Sequence, residues 1–223
     1  MIHLINRQCN FSKISVGKKR PEGFSKEKCF ANLQSVFNSD DVNCHVVFDG
    51  DPSKFELPNS WKLHKTNSGS GAKSFIDSLE YALSISKEDE IIYFVEDDYL
   101  HKSNALAVIY DGMFLNKKGY ISLYDHSDKY TQTYVNLDSK IILGQTAHWR
   151  TTPSTTDTFA IRRHTLEKHL PIFKKWSLIE HYSLDHERCL ELWKVGVPLI
   201  TCIPGMSTHC EYGLESPFFP RNL

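Results

Sequence analysis

Apolar positions arrive in short blocks that switch between two periods. Ile2-His3-Leu4-Ile5 is an apolar run that predicts a strand. From Ser25 onward, Cys29/Phe30, Leu33 and Val36/Phe37 recur at helical spacing, so Ser25 is expected to cap a helix. Cys44-His45-Val46-Val47-Phe48 is β-branched and aromatic, and stops at a turn, Asp49-Gly50-Asp51-Pro52. A loop, Asn67-Ser68-Gly69-Ser70-Gly71, precedes a second helix with Phe75/Ile76, Leu79 and Ala82/Leu83 on one face. The most apolar run, Ile91 to Val95, follows as a strand opening at Glu90. Ser103 is then expected to cap a third helix carrying Leu106, Ile109/Tyr110 and Met113/Phe114.

The second half is less regular. Tyr120 to Tyr124, Ile141 to Gly144 and Thr155 to Arg162 read as strands, and the last leads into a helix around Leu166 and Phe173. Pro171 is expected to break or kink that helix. A further helix runs from about Leu184 to Lys194, and Gly196 suits its C-terminal cap. Val197 to Cys202 is the last strand, followed by a tail that reads mostly as loop. Strand–helix alternation with nearly continuous apolar strands predicts an α/β domain with a mostly parallel central sheet, covered by helices on both faces. In such sheets ligands bind beyond the carboxyl ends of the strands.

Composition narrows the classes. The 223 residues fit one domain, and a formal net charge of −1 offers no global field to attract nucleic acid or an anionic membrane. Lys18-Lys19-Arg20 is a local basic run, read as a solvated loop or as a phosphate or membrane contact. The start carries no signal-peptide pattern, and no apolar run approaches the roughly 20 residues of a membrane helix. Six scattered cysteines without a C-x-x-C pair read as reduced, buried thiols. A cytoplasmic location is the expectation, with peripheral membrane association left open.

One stretch demands chemistry. The strand Ile91 to Val95 ends on Glu96, Asp97 and Asp98. Adjacent like charges raise one another's pKa unless a cation sits among them. Either water dissolves the cluster at a loop tip or a metal ion is expected there. Side chains alternate along an extended segment, so Glu96 and Asp98 are expected on one side, an arrangement that suits Mg²⁺ or Mn²⁺. Asp97 would point the other way. Asp49 lies at the carboxyl end of another strand, so both acidic positions are candidates for one site.

With those residues in view, the chain resembles the glycosyltransferases of GT-A fold. Glu96-Asp97-Asp98 is similar to their acidic D-x-D motif, which implies a metal holding the diphosphate of a nucleotide-sugar. Asp49 matches the acidic residue that contacts the nucleoside. Asn67-Ser68-Gly69-Ser70-Gly71-Ala72-Lys73 resembles the loop-to-helix segment of the inverting family 2 branch, which lies near the nucleotide. Phe159 to Arg163 resembles the strand that leads to the acceptor side. Asp185 to Gly196 resembles the helix that begins E-D in that branch, although Leu184 stands where the glutamate belongs. His209 occupies the place of a histidine that completes the metal site.

The resemblance implies a single GT-A-like domain over 1–223, with a nucleotide-binding half at about 1–101 and an acceptor-binding half at about 102–223. It implies a hexosyltransferase-type enzyme that takes a UDP-sugar, or alternatively a GDP-sugar, with Mn²⁺ or Mg²⁺. The acceptor would be a hydroxyl of a glycan, lipid-linked glycan or protein, and the anomeric centre would invert. Glu96, Asp98 and His209 would hold the metal. Arg7, Asp49, Asn67, Gly69, Lys73 and Asp97 would line the donor, and Asp185 or Glu187 would be the base. The alternatives are a sugar nucleotidylyltransferase and a non-catalytic nucleotide- or carbohydrate-binding domain. The first would need a glycine-rich basic loop right after the first strand, where Asn6 to Phe11 has no glycine. Trp149 is a candidate stacking platform for an acceptor.

Overall fold

A computed structural model describes residues 1–177 and 183–220. In chain order the strands are β1 (Ile2–Cys9), β2 (Val42–Asp49), β3 (Lys62–Thr66), β4 (Ile91–Val95), β5 (Tyr99–His101), β6 (Tyr120–Ser122), β7 (Ile141–Leu143), β8 (His148–Thr151), β9 (Phe159–Arg162), β10 (Leu199–Ile203) and β11 (Ser207–His209). The helices are α1 (Lys13–Val16), α2 (Lys26–Val36), α3 (Gly71–Ile85), α4 (Ala105–Leu115), α5 (Arg163–Ser177) and α6 (Asp185–Lys194).

Nine strands form one sheet in the order β3-β2-β1-β4-β9-β6-β10-β8-β7. Only β9 and β8 run against the others, so the sheet is mostly parallel as expected. The period of two along β4 explains how both faces are filled. Ile91, Tyr93 and Val95 enter one core with Phe30 and Leu33 of α2 and Val108 and Ile109 of α4. Ile92 and Phe94 enter the other, with Phe75 and Leu79 of α3, Phe173 of α5 and Leu192 of α6. A separate antiparallel pair joins β5 to β11, tying the chain just after β4 to the C-terminal region.

Register decides where a site can form. Cys9 pairs with Asp49, Asp49 with Thr66, and Asn6 with Val95. The carboxyl ends of β1, β2, β3 and β4 therefore stop along one edge. Because β9 is antiparallel to β4, with Phe94 opposite Phe159, the residues entering β9 arrive at that same edge.

Several local expectations hold. Ser25 accepts from the Lys28 N–H and caps α2. Gly196, at φ +84°, follows α6 and donates to the Trp193 carbonyl. Others need correction. The residue before α4 is Asn104, not Ser103, and it makes no side-chain cap bond. Pro171 sits inside α5 without ending it; Pro171 and Glu167 are both exposed, so the carbonyl that loses its partner there lies on the wet side. Trp149 is fully buried on β8 and packs against Gly112 of α4, so it offers no stacking platform. α1, β3, β5 and β8 were not expected, and the tail, mostly loop as expected, also contributes β11. Residues 221–223 of that tail lie outside the described residues. No described helix is long and apolar enough to cross a membrane.

Candidate functional site

The acidic triplet is a turn between β4 and β5, not an extended segment, so side-chain alternation does not apply to it. Each carboxylate instead turns to its own cation. Glu96 lies 3.1 Å from Arg7. Asp97 lies 2.5 Å from Lys26 and accepts from the Cys9 thiol at 3.7 Å. Asp98 accepts from Lys18 at 3.0 Å and Arg20 at 2.9 Å, and its Oδ2 is 3.0 Å from His209 Nε2. Burial alone would raise the Asp98 pKa, but His209, Lys18 and Arg20 pull it well below the usual carboxylate range. For Asp97, burial and the neighbouring Asp98 outweigh Lys26, and its pKa is raised. Glu96 is raised as well, chiefly by burial, with Arg7 opposing.

Asp98 and His209 are thus brought together, and Glu96 is not part of their contact. The His209 ring stacks on Tyr99, 5.0 Å between centroids, which fixes its plane. The two cations on Asp98 come from the segment between β1 and α2. That segment is anchored by the Lys19 carbonyl accepting from the Tyr212 N–H at 2.7 Å, and by Arg20 donating to the Cys210 carbonyl at 2.8 Å.

Behind Glu96 a second chain of charges runs toward α6. Arg7 reaches Glu96, Asp157 at 3.4 Å and the Gly71 carbonyl at 3.2 Å, with Phe75 5.1 Å from its guanidinium. Asp157 then binds Arg188 at 2.7 Å, and Arg188 lies 3.2 Å from Asp185. Arg188 is 1% exposed, among the rings of Phe75, Phe159 and Phe173. Burial opposes its charge, yet Asp185 and Asp157 raise its pKa further, so it stays protonated. Asp185 is the mirror image. Its Oδ1 is buried while its side chain as a whole is 31% exposed. Burial first, then Asp157, raise its pKa well above the ordinary value. Glu187, one residue beyond His186, is half-buried, and its charge is felt at Tyr134 rather than in this network.

The remaining sequence candidates sit at the β2–α3 end. Asp49 accepts from the Ser68 N–H at 2.7 Å and the Gly69 N–H at 3.2 Å, so it holds the loop in which Gly69 takes φ +73°. Ser70 caps α3 through the Lys73 N–H, while the Asn67 and Lys73 side chains stay exposed. Asn67 also borders a groove of about 460 Å³ with His64, Thr66, Asp77 and Tyr81. A second cavity, of about 410 Å³, lies on the other flank beside Phe24, Leu100, Cys210 and Phe219. Neither is lined by the 96–98 turn.

Five charged residues of the site were not assigned to it from the sequence: Lys18, Arg20, Lys26, Asp157 and Arg188. The run Lys18-Lys19-Arg20 carried a usable signal as a phosphate contact. Arg188 carried none, because nothing in its local spacing says that a helical arginine is enclosed by three phenylalanine rings.

The fit of a divalent ion can be judged on these contacts. Among the described residues no three His, Cys, Asp or Glu side chains are placed to hold a metal. An ion within ligand distance of both Asp98 Oδ2 and His209 Nε2 would fall beside the Lys18 ammonium, which is 3.0 Å and 3.2 Å from those atoms. At an effective dielectric of about 20, that repulsion is on the order of 10 kcal/mol. The residues as arranged do not fit Mn²⁺ or Mg²⁺ unless Lys18 leaves.

No protein-family model matches the chain, and no curated protein matches it. Solved structures do. One is a 4-diphosphocytidyl-2C-methyl-D-erythritol synthase from Anaerococcus prevotii DSM 20548, at TM-score 0.50 and 11% identity over 91% of this chain and 87% of that one. Another is S. aureus TarS 1-349 in complex with UDP, at TM-score 0.54 and 14% identity over 90% of this chain. The chain spans 57% of that TarS chain. At these identities the likeness concerns architecture alone, an α/β fold with a mostly parallel central sheet flanked by helices.

Proposed function

We propose that the chain is a glycosyltransferase that moves a sugar from a nucleotide-diphosphate sugar to a hydroxyl acceptor. The observation that carries this reading is the meeting, at one carboxyl edge, of a cation cluster around Asp98 and a partly exposed carboxyl, Asp185, at the far end of a buried charge chain. The fold agrees with it, as do the neighbours: one is named for a diphosphocytidyl compound and the other was solved with UDP.

On this reading the Asp49-held loop, with Asn67, Gly69 and Lys73, faces the nucleoside. Asp97 and the 96–98 turn lie along the diphosphate and donor sugar. Arg7 acts from behind, fixing Glu96, Asp157 and the start of α3 in one geometry. Asp185 accepts the proton of the attacking hydroxyl. A carboxylate with a raised pKa is the stronger base, and Arg188 steadies the ionised form once it is made. Glu187 takes no part in this arrangement. One base and attack opposite the leaving diphosphate give inversion. The acceptor is a glycan, lipid-linked or protein hydroxyl. A UDP-sugar is the favoured donor.

The reading is tested with a panel of UDP- and GDP-activated sugars and glycan acceptors. Release of a nucleoside diphosphate, dependent on the acceptor and lost in Asp185→Asn, is expected. A second reading, sugar nucleotidylyl transfer, is favoured by the basic segment that follows β1. Pyrophosphate release from a nucleoside triphosphate supplied together with a sugar phosphate would select it. Neither product from any donor would remove both.

A further inference from the structure

We infer that Lys18 and Arg20 supply, as part of the chain, the positive charge that receives a nucleoside diphosphate, so that binding needs no divalent ion. The inference rests on reading this edge as a nucleotide-sugar site.

The Lys18 ammonium stands where a bridging cation would stand. It is 3.0 Å from Asp98 Oδ2, 3.2 Å from His209 Nε2 and 3.5 Å from Glu211. An ammonium has three N–H donors. One serves Asp98, and His209 takes at most a second, so one remains to meet a phosphoryl oxygen. Burial opposes the Lys18 charge, but Asp98 and Glu96 raise its pKa, so the ammonium form is kept.

Arg20 uses one nitrogen, Nη1, for both Asp98 and the Cys210 carbonyl. The rest of its donor fork matches two phosphate oxygens. Its guanidinium is stacked 4.4 Å from the Phe24 ring, which fixes its plane before any ligand arrives. The exposure is graded in the required way. Asp98 is 4% exposed and anchors the cluster from below, while Lys18 and Arg20 are 20% and 17% exposed. Lys26, 26% exposed on Asp97, continues the basic surface toward β1. Asp98 and His209 thus seat an ammonium, and Lys18 and Arg20, set against Asp98 and Glu211, stand where they would meet a leaving diphosphate.

The test is isothermal titration of UDP, GDP and CDP into protein treated with EDTA, repeated with Mn²⁺. At least one nucleoside diphosphate should bind with EDTA present, and Mn²⁺ should change its Kd by less than about threefold. Lys18→Met should weaken the diphosphate by about tenfold to a hundredfold, the range of a charge-assisted bond, and leave the uridine or guanosine affinity nearly unchanged. Lys18→Arg should restore part of the loss. Binding of a diphosphate only with Mn²⁺ overturns this inference and leaves the proposed function standing. No binding of any nucleoside diphosphate under either condition overturns both. The wild-type comparison decides the matter even if Lys18→Met does not fold.

Discussion

Arg188 and Asp185 show how one buried charge sets the properties of another. Arg188 is enclosed by aromatic rings and holds Asp157 and Asp185 at once. Removing one partner of a buried pair strands the other, so Arg188→Met should cost about 3–5 kcal/mol in urea unfolding. Loss within about 1 kcal/mol would show that Asp157 finds water or another partner. Asp185 is raised, so the folded chain holds its proton more tightly than the unfolded chain does. Ionising it therefore costs stability as pH rises through its folded value. Activity has the opposite sign, because a base must be ionised. The acid limb of kcat/KM should lie above the ordinary carboxylate value of 3.8. Asp185→Asn should cut turnover by about 10²–10⁴-fold while leaving the urea midpoint at pH 8 equal or higher. Asp98 is lowered, so its contribution is complete above 3.8 and drains away as pH falls toward its folded value. Asp98→Asn should therefore lose stability at pH 7 and differ less from wild type in acid. At this scale Asp98 was a candidate because an acidic triplet follows an apolar strand, and His209 and Asp185 because they match positions of the motifs the chain resembles. The cationic partners of Asp98 were not assigned to it, because long-range pairing of Lys18 and Arg20 leaves no local period.

At the scale of elements, legibility followed burial. β4 is buried on both faces and reads as an unbroken apolar run, so its position was evident. β3 is an edge strand whose sequence, Lys62-Leu63-His64-Lys65-Thr66, has one apolar residue, and β8 is short and mixed. β3 is held by the preceding strand β2, and β8 by its hairpin neighbour β7 and the more distant β10, pairings that leave no period within the strand itself. The acidic turn failed for a related reason: β5 starts at Tyr99 to pair with β11, and that pairing bends 96–98 out of extension. Contact between α4 and β8 gives a direct test of element packing. A β-carbon on Gly112 would run into the Trp149 ring. Gly112→Ala should cost about 1–3 kcal/mol by overpacking, despite the better helix propensity of alanine, as read by chemical unfolding. A gain in stability would show that Trp149 can shift freely.

For the whole molecule, the sheet order matters more than any one strand. β9, from the second half, lies between β4 and β6, so the halves at 1–101 and 102–223 share one sheet. Residues 1–101 expressed alone would expose the β4 edge and the apolar faces that α5 and α6 cover. That fragment should show no cooperative thermal transition, whereas the full chain unfolds in one. The same topology brings the ends of β1 and β4, the segment before β9 and the start of α6 to one edge, where the diphosphate and acceptor are proposed to meet. A crystal structure with UDP bound tests that claim most directly. The account predicts the diphosphate within hydrogen-bond distance of Lys18 and Arg20 beside the 96–98 turn, with the nucleoside against the Asp49-held loop. UDP with its diphosphate away from Lys18, Arg20 and the 96–98 turn would contradict it.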